Sequence, residues 1–123
     1  MPRVNGMPTE AEEQIALFQW AEYAEGKYPP LRLLYAVPNG GSRHRIEAAN
    51  LKHQGVKAGV PDLCLPYPRG VYHGLYIEMK VGKNKPSDSQ KVWLQNLASV
   101  GYFTAVCYGF NEARATIEHY LNL

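Results

Sequence analysis

One run, Leu75-Tyr76-Ile77-Glu78-Met79-Lys80-Val81, constrains this chain more than any other stretch. Its residues alternate with the period of a β-strand, which sends Leu75, Ile77, Met79 and Val81 to one face and Tyr76, Glu78 and Lys80 to the other. The run is apolar enough to lie inside a sheet. A carboxylate and an ammonium placed there are expensive unless they face water, pair with each other or bind something. Any fold that hosts this strand has to resolve those two charges.

The surrounding elements alternate, which predicts an α/β fold. Thr9-Glu10-Ala11-Glu12 reads as a capping box that opens a helix with Ile15, Leu17, Phe18, Ala21 and Ala24 on its apolar side, ended by Gly26 and Pro29-Pro30. Leu31 to Val37 reads as a strand entering the turn Pro38-Asn39-Gly40-Gly41, followed by a helix from Arg43 to Gln54 with Ser42 as N-cap. Pro61 to Pro66 and about Tyr72 to Val81 read as two strands close enough in sequence to pair antiparallel. Ser87-Asp88-Ser89-Gln90 is a second capping box, opening a helix with Val92, Trp93, Leu97 and Val100 inward. A strand from Tyr102 to Tyr108 and a helix from about Asn111 to Leu121 complete the order αβαββαβα. With 123 residues, the chain is expected to form one domain over 1–123, with residues 1–8 flexible.

Several functional classes are excluded. No apolar stretch approaches the roughly 20 residues that span a bilayer, and the N-terminus lacks the pattern of a signal peptide, so a cytoplasmic location and a viral or bacterial origin are expected. Cys64 and Cys107 sit in apolar runs and cannot supply a four-ligand zinc site. His44, His53, His73 and His119 have no ligand spacing, and no nucleophile elbow or phosphate-binding glycine loop is present. Covalent catalysis and a nucleotide cofactor therefore find no support.

Charge is unevenly spread. Residues 43–91 hold nine basic against four acidic side chains, whereas residues 1–42 hold three against five. The basic middle suits a polyanion.

Asp62 opens the strand that precedes the charged one, and pairing of the two strands would bring Asp62 and Glu78 to one point with Lys80 beside them. Two carboxylates so placed repel unless a hard divalent cation lies between them, and Mg2+ is the natural choice. The string Gly59-Val60-Pro61-Asp62-Leu63, followed sixteen positions beyond Asp62 by Glu78-Met79-Lys80, resembles the PD-(D/E)xK nuclease pattern. With Pro38-Asn39-Gly40-Gly41 before it and Ser87 and Gln90 after it, the chain is similar to stand-alone VRR-NUC domains over nearly its whole length.

That resemblance implies a restriction-endonuclease-like core, with a central mixed sheet flanked by helices. It implies Asp62 and Glu78 as metal-binding carboxylates, the Met79 carbonyl as a further ligand, Lys80 as the catalytic lysine and Gln90 as a glutamine near the site. An acid from the first helix is implied beside the metal; Glu10 and Glu13 both remain candidates, since Glu12 belongs to the capping box. Asn39 stands in a turn where backbone amides approach a phosphate, and Arg43, Arg45, Lys52, Lys83 and Lys85 flank the site as candidate DNA-phosphate contacts. The expected activity is a Mg2+- or Mn2+-dependent endonuclease acting on branched DNA such as Holliday (four-way) junctions in replication, recombination or repair. A homodimer is expected, with Leu31, Tyr35 and Trp20 as candidate interface residues. The competing expectations are a non-catalytic branched-DNA-binding module of the same fold and a sequence-specific restriction-type nuclease.

Overall fold

A computed structural model describes residues 6–38 and 45–123. Helix α1 (Glu10–Ala24) starts as the capping box requires: Thr9 Oγ1 accepts from the Glu12 amide at 3.1 Å while the Thr9 amide donates to Glu12 Oε1 at 2.9 Å. Leu17, Ala21 and Ala24 form its buried stripe. Ile15, expected on that stripe, is 58% exposed, because two residues of helix turn it about 200° away from Leu17.

The strand expected over Leu31 to Val37 is mostly replaced by a 3-10 helix, Pro29–Leu33, and only β1 (Tyr35–Ala36) is extended. Pro29 and Pro30 fix φ for a helical turn, and the apolar residues that go inside, Leu31 and Leu34, are spaced by three rather than two. Helix α2 (Arg45–His53) follows and ends one residue before the expected Gln54. The proposed Ser42 cap and the turn residues 39–41 lie outside the described residues, as do residues 1–5 of the expected flexible terminus.

Strands β2 (Leu63–Leu65) and β3 (Leu75–Lys80) pair antiparallel as expected, with Leu63 opposite Ile77 and Leu65 opposite Leu75. Helix α3 (Asp88–Ser99) then crosses over to β4 (Phe103–Tyr108), which pairs parallel to β3, and α4 (Phe110–Leu121) closes the chain. The result is a mixed four-stranded sheet in the order β1-β2-β3-β4. One face, with Leu63, Leu65, Leu75, Ile77, Met79 and Cys107, packs on Leu17 and Ala21 of α1 and Ala113, Ile117 and Tyr120 of α4. This is the hydrophobic core.

Helix α3 packs on β4 alone among the strands it meets closely. It therefore needs only a narrow stripe, and Trp93, Leu94 and Leu97 are half-buried. Val92 and Val100, expected inward, are exposed. Leu31, a candidate interface residue, is likewise corrected: it belongs to the core. Trp20 is half-buried beneath the Arg114 guanidinium, 5.3 Å from its ring, while Tyr35 is exposed. Among the described residues no helix is long and apolar enough to cross a membrane.

Candidate active site

The antiparallel register of β2 and β3, continued by one residue beyond Leu63, sets Asp62 across from Glu78 on the face opposite the core. The backbone holds Asp62 from both sides. Its carbonyl accepts from the Val37 amide at 2.7 Å, and its Oδ2 accepts from the Met79 amide at 2.7 Å. Asp62 thus stands at a fixed height above the end of the β2–β3 ladder.

Glu78 is 1% exposed and Lys80, its neighbour on the same face, is 9% exposed. Lys80 Nζ lies 3.5 Å from Glu78 Oε2. The other carboxylate oxygen, Oε1, is buried and has no hydrogen-bond partner. Burial first, then the nearby Asp62 charge, raise the Glu78 pKa to about 8 against the opposite pull of Lys80. An ionised Glu78 leaves Oε1 bare beside a second carboxylate.

A divalent cation fits that arrangement, since it would give Oε1 a partner and cancel the repulsion. Among the described residues no group of three or more His, Cys, Asp or Glu side chains gathers at one point. The donors are few and hard, which suits an ion that keeps several waters and does not suit a closed zinc site.

The first-helix acids part company. Glu10 lines a cavity of about 700 Å³ between α1 and the sheet, together with Gln14, Phe18, Ala36 and Asp62. Its Oε2 lies 3.5 Å from Asn84 Nδ2. Glu13 turns the other way: its Oε1 accepts from the Phe110 amide at 3.1 Å, at the start of α4, where Gly109 offers no side-chain cap. Gln90 closes the α3 capping box, its Oε1 accepting from the Ser87 amide at 2.8 Å. Lys83 and Lys85 are exposed in the segment after β3, which the Tyr108 hydroxyl ties down through the Asn84 carbonyl at 2.8 Å. Lys52 is exposed on α2, and Arg45 is the first residue of that helix. Asn39 and Arg43 lie outside the described residues.

Sequence reasoning missed Asn84, which joins the β3 exit to Glu10, and the work of Gly59. Gly59 has φ +90°, and a Cβ there would stand 2.8 Å from the Ser89 backbone. The segment leading to Asp62 is therefore pressed against the first turn of α3. A glycine two residues before the Pro61-Asp62 pair was the only available signal.

A mixed sheet with helices on both sides, carrying Asp62, Glu78 and Lys80 as one row, places the molecule among restriction-endonuclease-like folds of the PD-(D/E)xK kind. The VRR-NUC domain family model matches residues 9–111, and the chain belongs to that family of nuclease domains. A solved structure described as a VRR_NUC domain protein is 34% identical, with a TM-score of 0.83 over 95% of this chain and 91% of that one. No curated protein matches.

Proposed function

We propose that this nuclease domain is a Mg2+- or Mn2+-dependent endonuclease that hydrolyses phosphodiester bonds in branched DNA, four-way junctions included. The observation that carries the reading is the row of half-buried Asp62 with buried Glu78 and Lys80, and its bare Glu78 Oε1. Asp62 and Glu78 would hold the cation, with the Met79 carbonyl at hand and Glu10 reaching the same cavity from α1. Such a cation, when bound, polarises a phosphoryl oxygen and makes its own water more acidic.

The remaining duties belong to the chain. The Met79 amide fixes one Asp62 oxygen and so orients the other. Lys80 keeps its ammonium within reach of Glu78 and offers positive charge to a phosphate that enters the row, where charge develops in the transition state. The exposed Lys83 and Lys85 bind phosphates further along the strand without reading sequence. Each chain carries one such row, and a four-way junction presents two symmetric scissile phosphates, so a twofold pair of chains answers that geometry.

The test is cleavage of a labelled four-way junction beside linear duplex and single strand, with Mg2+, Mn2+ or EDTA, by wild type and Lys80→Ala. Paired symmetric nicks that need the metal, and that fall at least 100-fold in the variant, are expected. Tight junction binding without cleavage of any substrate would instead make the protein a binding module, and product ends at fixed sequences regardless of branching would make it a restriction-type nuclease.

A further inference from the structure

Two residues back along the same strands, the face that carries Asp62 and Glu78 changes character. Tyr35 of β1 and Tyr76 of β3 flank Cys64 of β2 in register. A short cysteine side chain set between two tyrosines in register lies below the reach of their rings. That accounts for Cys64 being 3% exposed on a face where Tyr35 is 48% exposed. Tyr102 packs edge-on against Tyr76, with ring centroids 5.3 Å apart, and braces it from the β4 side. Helix α3 packs on β4, beside this half of the face.

We propose that Tyr35 and Tyr76 form a stacking platform for an unpaired nucleobase, next to the phosphate held at Asp62 and Glu78. The proposal rests on the nuclease reading and names the feature of the substrate that the site selects. Three observations point to a base. The platform is continuous with the site, because residues 76 and 78 on one strand face lie about 7 Å apart, close to the spacing of successive nucleotides in an extended strand. The charge is divided along β3, with Lys83 and Lys85 beyond Lys80 at one end and uncharged aromatic rings at the other, matching a strand with phosphates at one side and bases at the other. Tyr102, edge-on against Tyr76, limits the freedom of that ring, so less is left to lose when a base settles on it. A paired base within a duplex has both faces already stacked, whereas one at a branch point or in a splayed arm has a face to offer.

The probe is a DNA duplex ending in splayed thymine-rich arms, with one 2-aminopurine in the arm, compared with a fully paired duplex of equal length. Binding is measured with Mg2+ in the Lys80→Ala background, and cleavage in the wild-type background. Quenching of the arm fluorophore is expected on binding. Tyr35→Leu and Tyr76→Leu should each weaken arm binding by about tenfold and abolish part of the quenching, while duplex binding holds. Tyr35→Phe, which keeps the ring, should retain arm binding within about twofold. Tyr35 is exposed, so its substitution leaves the fold intact and keeps the test decisive even if Tyr76→Leu melts early.

Leucine variants that bind the arm as tightly as the parent overturn the platform. So does a loss of binding that tracks dissociation of a dimer in sedimentation, which would make this face a contact between copies of the chain. Quenching and tyrosine-dependent binding without any cleavage by the wild type would sustain the platform and sink the nuclease reading.

Discussion

Glu78 is the residue at which folding and chemistry pull in opposite directions. In the unfolded chain its carboxyl titrates near 4.5, and in the folded protein burial and the neighbouring Asp62 raise it to about 8. Between those values the folded state keeps a proton that the unfolded state has released, so stability falls as pH rises through the window and levels off above it. Thermal melts in EDTA should show this decline between pH 5 and 8, at no more than about 1.4 kcal/mol per pH unit, and Glu78→Gln should flatten it. Added Mg2+ should raise the wild-type melting temperature more at pH 8 than at pH 5 and leave the variant unmoved; equal gains in both proteins would remove Glu78 from the cation site. The convergence of Asp62, Glu78 and Lys80 was legible in the sequence because a strand has a period of two and two short strands leave little choice of register, while it was the resemblance of their string to the PD-(D/E)xK pattern that marked them as a candidate site. Glu10 and Glu13 were not separable, since residues three apart share a helix side and only the neighbouring element decides which contact each one makes.

At the scale of elements, Glu13 and Gly109 clasp α1 to α4. Glu13 supplies the cap that Gly109 lacks, and the Gly109 amide in turn donates to the Lys80 carbonyl at 3.0 Å. One junction therefore fixes α1, which carries Glu10, relative to the strand that carries Lys80. Chemical denaturation should show Glu13→Ala losing about 1 kcal/mol, as capping deletions do, with Glu13→Gln restoring most of it because an amide oxygen accepts equally well. A cation ligand would behave differently: Gln would then fail as badly as Ala in Mg2+-dependent cleavage. Gly109→Ala should be worse than either, since its φ is +89° and its Cβ would stand 2.7 Å from Glu13 Oε1. The two capping boxes announced α1 and α3 because they are local chemistry. The segment 31–37 misled because an apolar run does not declare its period when prolines precede it, and Val92 and Val100 misled because the sequence cannot say that α3 has a single strand to cover.

For the whole molecule, the basic excess of residues 43–91 suits contact with phosphates rather than with bases. Replacing Lys83 and Lys85 together by Ala should weaken DNA binding evenly across sequences and lower the slope of log affinity against log salt by about 2, read by titration at several salt concentrations. An unchanged slope would place the strand elsewhere on the surface. The mixed sheet has a further consequence. β3 is bonded on both sides, to β2 and β4, and has α1 and α4 against its core face. Its amides are thus the last to be reached by solvent as the chain breathes, and hydrogen exchange there requires opening of the entire domain. Charged side chains poised for chemistry commonly ride on loops that come and go; here Glu78 and Lys80 sit on the most protected strand, so partial loosening at the margins leaves the pair in place until the cooperative unit itself dissolves.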